Sequence, residues 1–254
     1  APVAQLYGHR SAVVALDWSP DSSRLVTGST DGTARLWAIL PDGGRELLSL
    51  PAQAKSTWVW PTFSPDGTRV MTGAGPNGAV RIWDVSLSGD AEWANLPTDN
   101  YWPGVAFTSD GTGVIASNGD GSATIWDAET GEGLDVIGRA GGDIGPVAKT
   151  WSPLSVIDVS ADGLVAAASG EGKVIVWDES TGDERFALPV PTYHGWPPDV
   201  AWSDDGTVLA AAARSDGITT LVDRDGHEVG AIREEKGYTV DSLRLSSDGR
   251  LLAT

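Results

Sequence analysis

The chain has 254 residues, no cysteine, and a net charge of −18 from 35 acidic and 17 basic residues. Without cysteine it can form no disulfide, thiolate metal site or cysteine nucleophile, and its acidic surplus is the opposite of what a nucleic-acid backbone attracts. The longest apolar stretches, such as 165–168 and 208–213, are far too short to cross a bilayer. We therefore expect a soluble chain, favour the cytoplasm, and expect no nucleic-acid or membrane partner.

A short turn sequence recurs along the whole chain. Each copy has an Asp, usually followed by Gly, ahead of a short apolar run, and the six copies centre on Asp21, Asp66, Asp110, Asp162, Asp205 and Asp248. Their spacing of about 43 to 52 residues is typical of a repeat that forms one four-stranded blade of a β-propeller. Propellers host many unrelated activities, so the repeat predicts the fold and leaves the function open.

The first repeat shows the strand pattern most clearly. Apolar segments at Val13–Trp18, Arg24–Ser29 and 34–37 are predicted strands a, b and c. Asp31-Gly32 between b and c is a dipeptide typical of a two-residue hairpin turn. Later repeats have a further turn after strand c, which introduces a fourth, more polar strand d, and an outer polar strand resists pairing with other molecules.

Strand c ends in Trp-Asp in three repeats, and the first repeat begins with Gly8-His9. The pairs are Trp83-Asp84, Trp126-Asp127 and Trp177-Asp178. With these motifs the chain resembles the WD-repeat family over essentially its whole length. The resemblance implies a hydrogen-bonded structural tetrad, which in this sequence falls on His9, Thr27, Asp31 and Trp37 and is complete in the first repeat alone. Blade three has Ala116 where the tetrad hydroxyl would be.

The repeat and the resemblance together predict an all-β fold, a β-propeller of four-stranded antiparallel blades. We expect one domain over 1–254 with six repeat units, the last incomplete. The blades are expected at about 11–50, 57–96, 103–138, 154–189, 198–232 and 238–254. An N-terminal strand at 3–7 is expected to complete blade six, since rings of this family usually close through their N-terminal segment. The alternative is a fragment of a propeller with seven or more blades, within a larger multidomain chain.

The sequence contains no convincing catalytic, metal-ligand or cofactor-binding pattern, and we predict no catalytic residue, no metal site and no cofactor. The three histidines, His9, His194 and His227, lie in separate repeats without metal-ligand spacing. Residues 73–78 match the glycine pattern of a dinucleotide-binding loop. However, strand c of blade two follows them, where such a loop would need a helix to hold the pyrophosphate.

Aromatic residues recur just before strand a, a pattern that the scaffold alone does not require. They are Trp58, Trp60, Tyr101, Trp102, Trp151, Tyr193, His194, Trp196 and Tyr238, several of them next to proline. In the resembled family this connection crosses the narrower face around the central channel, so we predict one surface, here called the aromatic face. Tyr and Trp combine rigid contact area with a polar group and dominate binding hot spots. The alternative is that these rings only pack between blades.

These observations favour a non-catalytic module that recognises a protein or peptide, or serves as a scaffold, through the aromatic face. A second hypothesis is small-molecule binding or hydrolysis in the central channel, which would need convergent polar groups that the sequence does not show. A third is a structural assembly unit whose aromatic face is covered by another copy or domain.

Overall fold

The computed structural model shows a chain built of antiparallel β-sheets. It describes residues 5–40, 43–51, 58–75, 80–86, 92–96, 104–118, 122–138, 154–169, 172–192, 198–203, 205–213, 217–233, 240, 243–245 and 249–253. These residues form 22 strands and no helix, and accordingly none of them belongs to a helix able to span a membrane. The predicted all-β class with four-stranded blades is confirmed.

The chain divides into two compact units, of which unit one comprises 1–102 together with the turn 127–132. Unit one holds two four-stranded sheets, blade one and blade two. The strands of blade one are β1 (Val13–Trp18), β2 (Arg24–Ser29), β3 (Thr33–Leu40) and β4 (Gly43–Pro51), and those of blade two are β5 (Trp58–Phe63), β6 (Arg69–Gly75), β7 (Val80–Asp84) and β8 (Glu92–Leu96).

Unit two comprises 103–126 and 133–254 and holds three four-stranded sheets and one two-stranded sheet. Blade three has β9 (Val105–Phe107), β10 (Gly113–Ser117), β11 (Ala123–Asp127) and β12 (Gly133–Ile137). Blade four has β13 (Leu154–Val159), β14 (Leu164–Ser169), β15 (Lys173–Asp178) and β16 (Glu184–Pro189). Blade five has β17 (Asp199–Trp202), β18 (Val208–Ala212), β19 (Ile218–Asp223) and β20 (Glu228–Arg233). The described part of blade six has β21 (Arg244–Leu245) and β22 (Leu252–Ala253).

Every four-stranded sheet follows chain order, and each carries a bulge at the same place. The register between strands c and d shifts at the residue that holds the strand-c Trp position, namely Trp37, Trp83, Trp126, Trp177 and Val222. Because a bulge bends its strand and increases the local twist, the outer strand of each blade turns at the same level.

The recurring Asp turn closes through one hydroxyl. In blade two, Ser64 Oγ donates to Asp66 Oδ1 (2.6 Å) and accepts from Arg69 N (3.0 Å), and Gly67 has a φ of 70°. Burial of the carboxyl group would by itself raise the pKa of Asp66, but hydrogen bonds from Ser64 and Thr68 lower that pKa. The turn therefore needs a hydroxyl residue, an Asp two positions later and then a residue that tolerates positive φ.

Each unit has its own apolar core between successive sheets. In unit one, strands b and c of blade one pack against blade two through Val26, Ala34, Leu36, Val59, Phe63, Val70 and Trp83. In unit two, blade four packs against blade five through Leu164, Ala166, Ala168, Val174, Val176, Val200, Trp202, Leu209 and Ala211. A single sheet of this kind buries too little surface to be stable alone, so the stability of each blade depends on its neighbours.

Carboxylates on three inner strands connect blade one to blade two, blade four to blade five, and blade five to blade six. Each accepts a backbone N–H from strand a of the following blade, in the pairs Asp17 with Phe63 (2.8 Å), Asp158 with Trp202 (2.6 Å) and Asp199 with Leu243 (2.8 Å). Strand a has no neighbouring strand on its inner side in these sheets, so these carboxylates satisfy backbone donors that the ladder leaves open.

The predicted N-terminal strand at 3–7 is not formed at residues 5–7, and residues 3 and 4 lie outside the described part of the chain. Leu6 packs on Gly44 of β4, where an added Cβ would lie 2.0 Å from Leu6 Cδ2. The half-buried side chain of Leu6 thus packs on the outer strand of blade one, and residues 5–7 lie against that blade.

We expect Asp158 to make stability depend on pH between about 4 and 6. Asp158 keeps some exposed surface, but desolvation of its carboxyl group raises its pKa to about 6. The folded state therefore binds this proton more tightly than the unfolded state. The resulting stabilisation is present below the unfolded pKa and is lost as the pH rises towards 6, by about 2–3 kcal/mol.

The measurement is urea unfolding of the wild type and Asp158→Asn at several pH values from 4 to 7. The amide retains an oxygen that can accept the Trp202 N–H, and all other titrating groups cancel in the difference. The free energy of unfolding of Asp158→Asn should rise relative to that of the wild type as the pH rises. A difference between the two that does not depend on pH would contradict the raised pKa of Asp158.

Candidate functional site

Two tryptophans of the aromatic face lie on β5, the inner strand of blade two. Trp58 is 44% exposed and Trp60 is 38% exposed, and their rings stack with centroids 6.0 Å apart and planes inclined by 24°. They alternate with the buried residues Val59, Pro61 and Phe63, as expected for a strand with one covered face. The two rings therefore form a preassembled aromatic surface.

The backbone of β5 is held from blade one at two points. An added Cβ on Gly28 of β2 would lie 2.0 Å from Val59 O, so the two strands approach at a distance that only glycine permits. At the end of β5, Asp17 Oδ2 accepts from Thr62 Oγ1 (2.9 Å) and Phe63 N (2.8 Å). The rigidity of this strand reduces the ordering cost of binding at Trp58 and Trp60.

The remaining predicted members of the aromatic face lie outside the described residues. They are Tyr101, Trp102, Trp151, Tyr193, His194, Trp196 and Tyr238. Their assembly with Trp58 and Trp60 into one surface stays a prediction.

The four residues of the proposed tetrad form one buried network in blade one. His9 Nδ1 lies 3.0 Å from Asp31 Oδ2 and His9 Nε2 lies 2.8 Å from Thr27 Oγ1, while Trp37 Nε1 donates to the same hydroxyl at 2.8 Å. Because the carboxylate only accepts, His9 Nδ1 donates to Asp31. This chain of bonds joins the N-terminal segment to strands b and c.

The charge of Asp31 is well stabilised. Burial by itself would raise the pKa of Asp31, but hydrogen bonds from Thr33, Arg10 N and His9 hold it well below its usual range. The Oδ1 atom accepts from Thr33 N (3.0 Å) and Thr33 Oγ1 (2.6 Å), and Oδ2 accepts from Arg10 N (2.8 Å). The carboxylate is thus an anchor for the b–c turn.

The order carboxylate, imidazole and hydroxyl also occurs in hydrolytic triads. Here Thr27 Oγ1 accepts from the Trp37 indole, and His9, Asp31 and Thr27 are all almost fully buried. A nucleophile must reach its substrate with a free lone pair, so the geometry suits a structural role.

Among the described residues, blades two and three show only part of this network. In blade two, Trp83 Nε1 donates to Thr72 Oγ1 at 2.8 Å. In blade three the equivalent position is Ala116, and the buried Trp126 Nε1 finds no hydrogen-bond partner within the described ranges. A buried donor without an acceptor costs about 1–3 kcal/mol, so blade three is weakened at this point.

One group of potential metal ligands was missed by the sequence reasoning, although its Asp-x-Asp-x-His pattern is readable. Ligand atoms of Asp223, Asp225 and His227 lie within 4.8 Å of one another after strand c of blade five. Asp223 Oδ1 already accepts from Asp225 N (3.0 Å) and His227 N (2.9 Å). Those bonds, led by the one from His227 N, lower the pKa of Asp223, and they account for the arrangement as a turn.

Comparison with known proteins agrees with the repeat pattern. The family described as "WD domain, G-beta repeat" matches residues 1–38 and 46–84. The chain is 28% identical to a guanine nucleotide-binding protein subunit beta of Oryza sativa subsp. indica and 27% identical to one of Arabidopsis thaliana, each over 97% of this chain. A subunit beta-5b of Danio rerio is 28% identical over 50% of this chain and 32% of its own length. The chain spans 66% of the two plant relatives.

Thr27→Val should destabilise the protein by about 2–4 kcal/mol, because it keeps the volume but leaves His9 Nε2 and Trp37 Nε1 buried without their hydroxyl partner. The matched control is Thr72→Val, which removes the acceptor of Trp83 alone and should cost about half as much. Urea unfolding of both variants measures the difference, and an equal or smaller cost for Thr27→Val would contradict the network.

Ala116→Thr should stabilise the protein by about 1 kcal/mol relative to Ala116→Val, because it offers Trp126 Nε1 the acceptor that Thr27 and Thr72 provide elsewhere. The two variants have the same shape, so any crowding at this buried position cancels in the comparison. The midpoint of chemical unfolding reports the effect, and a threonine variant no more stable than the valine variant would refute it.

Proposed function

The chain belongs to the WD-repeat family, and from this premise we propose that it is a non-catalytic module that binds a protein or peptide through a surface that includes Trp58 and Trp60. The observation that carries the proposal is the exposed, stacked pair of tryptophans on a rigidly held inner strand. Folding buries Val59, Pro61 and Phe63 on the other side of β5, so Trp58 and Trp60 are the large aromatic side chains that this strand leaves exposed.

Indole rings suit recognition because each offers a large apolar area, little conformational entropy to lose and one N–H donor. Hot spots of protein interfaces are enriched in Trp for these reasons. The plant relatives are named as subunits of a guanine nucleotide-binding protein, and a subunit acts within an assembly. This naming supports a scaffold role for the repeats without identifying the partner of this chain.

The net charge of −18 indicates which partners associate fastest. Long-range attraction favours basic proteins or segments and disfavours acidic ones. We therefore propose that basic surfaces are preferred, with Trp58 and Trp60 supplying the apolar contact.

The combined substitution Trp58→Ala and Trp60→Ala should weaken partner binding by at least about thirtyfold, the effect of losing one hot spot of about 2 kcal/mol. The folded state should lose little, since both side chains are substantially exposed. The measurement is quantitative capture from lysate of the source cells, followed by titration of the strongest ligand.

The matched control is Leu134→Ala combined with Val229→Ala, which removes exposed apolar side chains from the outer strands β12 and β20. Partners lost with the tryptophan variant and kept with the control would support the proposal. Partners retained by the tryptophan variant would exclude Trp58 and Trp60 from the recognition surface.

A further inference from the structure

The stacked tryptophans of β5 form a row with a carboxylate of blade one. Trp58, Trp60 and Thr62 are alternate residues of the strand, so their side chains lie on the same side of it. The two ring centroids are 6.0 Å apart, close to the spacing of about 6.6 Å between alternate strand residues, so the pair runs along β5 and Trp60 is the member next to Thr62. Thr62 Oγ1 in turn donates to Asp17 Oδ2 at 2.9 Å. Two indoles and a carboxylate thus follow one another along β5.

The neighbouring strand places no side chain directly opposite either indole. In the ladder with β6, Trp58 is opposite Gly75 and Trp60 is opposite Gly73. Directly opposite residues place their side chains on the same side of a sheet, and glycine has none to place there. On its other flank β5 is the edge strand of its four-stranded sheet. Because glycine inside a strand often marks a site that a ligand approaches closely, this arrangement favours a ligand beside the two indoles.

The charge of Asp17 makes a cation the favoured ligand. Its Oδ2 atom also accepts from Phe63 N at 2.8 Å, so the carboxylate is held in place beside the row, and Asp17 is half-buried. A fixed negative charge adds to the attraction that the negative face of an indole exerts on a cation. The net charge of −18 acts in the same direction at long range.

We infer that Trp58, Trp60 and Asp17 form a subsite for one arginine side chain of the partner, whose guanidinium stacks on the Trp60 indole next to Asp17. The inference rests on the proposed function, because it names the chemical group that the two tryptophans recognise. Arginine suits the subsite better than lysine, since its guanidinium is planar, stacks on aromatic rings and is more weakly hydrated than an ammonium group. Blade two already contains a contact of this type, since the guanidinium carbon of Arg81 lies 5.8 Å from the ring centroid of Trp83.

The test uses the full chain and blocked pentapeptides that carry one arginine, lysine or citrulline between glycines. Citrulline keeps the length and the planar end group of arginine but has no charge. Binding is followed by NMR of the tryptophan indole N–H groups, and the signals of interest are those missing from the variant that combines Trp58→Ala with Trp60→Ala. The arginine peptide should shift both signals saturably, and the citrulline peptide should bind at least about tenfold more weakly, because it loses the cation–π and charge attraction. The lysine peptide should bind with intermediate affinity.

Asp17→Asn tests the carboxylate, because the amide keeps an oxygen that can accept the Phe63 N–H. The arginine peptide should bind this variant about threefold more weakly than the wild type, and the affinity of the citrulline peptide should not change. The matched control is Asp158→Asn, which alters the carboxylate that accepts from Trp202 N in blade five. Above the Asp158 pKa of about 6 the control removes the same charge, but the strand beside it, β17, is buried along its whole length. The control should therefore bind the arginine peptide like the wild type, and circular dichroism establishes that each variant is folded.

The outcomes separate this inference from the proposed function. An arginine peptide that leaves both indole signals unchanged, that binds no better than the citrulline peptide, or that binds Asp17→Asn as tightly as the wild type would overturn the inference. Each of these results would do so even where capture of a partner still depends on Trp58 and Trp60. Conversely, capture that does not depend on the two tryptophans would exclude the proposed function, whereas arginine-specific shifts of their signals would still identify a guanidinium-binding site.

Discussion

Burial of one sheet face against the next is the constraint on which the rest of this structure depends. A four-stranded sheet of this size has apolar residues on both faces and cannot cover either of them by itself. Within unit one, Phe63 and Trp83 of blade two are covered because Val26 and Leu36 of blade one pack on them. Within unit two, Trp202 of blade five is covered by Ala166 and Val176 of blade four. The repeat spacing persists along a divergent chain because each repeat must supply both halves of this contact.

Polar interactions then fix details that apolar packing leaves open. Asp17, Asp158 and Asp199 bond to the next strand a, and thereby set the register between neighbouring blades. The buried network of His9, Asp31, Thr27 and Trp37 joins three segments of blade one, but blade two keeps only one of its bonds and blade three leaves Trp126 without an acceptor in the described part of the chain. Apolar contacts between successive sheets recur in both units, whereas the described part of blade three lacks the hydroxyl acceptor that Thr27 and Thr72 provide in blades one and two. One hydrogen bond makes a net contribution of only about 1 kcal/mol to the free energy of unfolding, so the fold tolerates its loss from one blade.

The proposed recognition surface uses side chains that this scaffold leaves in solvent. On β5, Val59, Pro61 and Phe63 fulfil the packing requirement, and Trp58 and Trp60 are therefore available for recognition. On β1, Leu16 and Trp18 have the residue types of a packing face but lack a described neighbour that covers them.

The sequence by itself determined the repeat, the all-β class and the strands of blade one, because hydrophobic alternation and Asp-Gly turns act within a few residues of one another. The resemblance to the WD-repeat family also indicated that His9, Thr27, Asp31 and Trp37 form a tetrad. Only the tertiary structure decided that Leu6 packs on the outer strand of blade one and that Trp58 and Trp60 are exposed while Phe63 is buried. It also decided that the carboxyl group of Asp158 is desolvated enough to raise its pKa. Exposure and desolvation depend on residues more than 40 positions away, in the next blade. A local pattern carries no information about which neighbour covers it, and burial is therefore the property that the fold alone can settle.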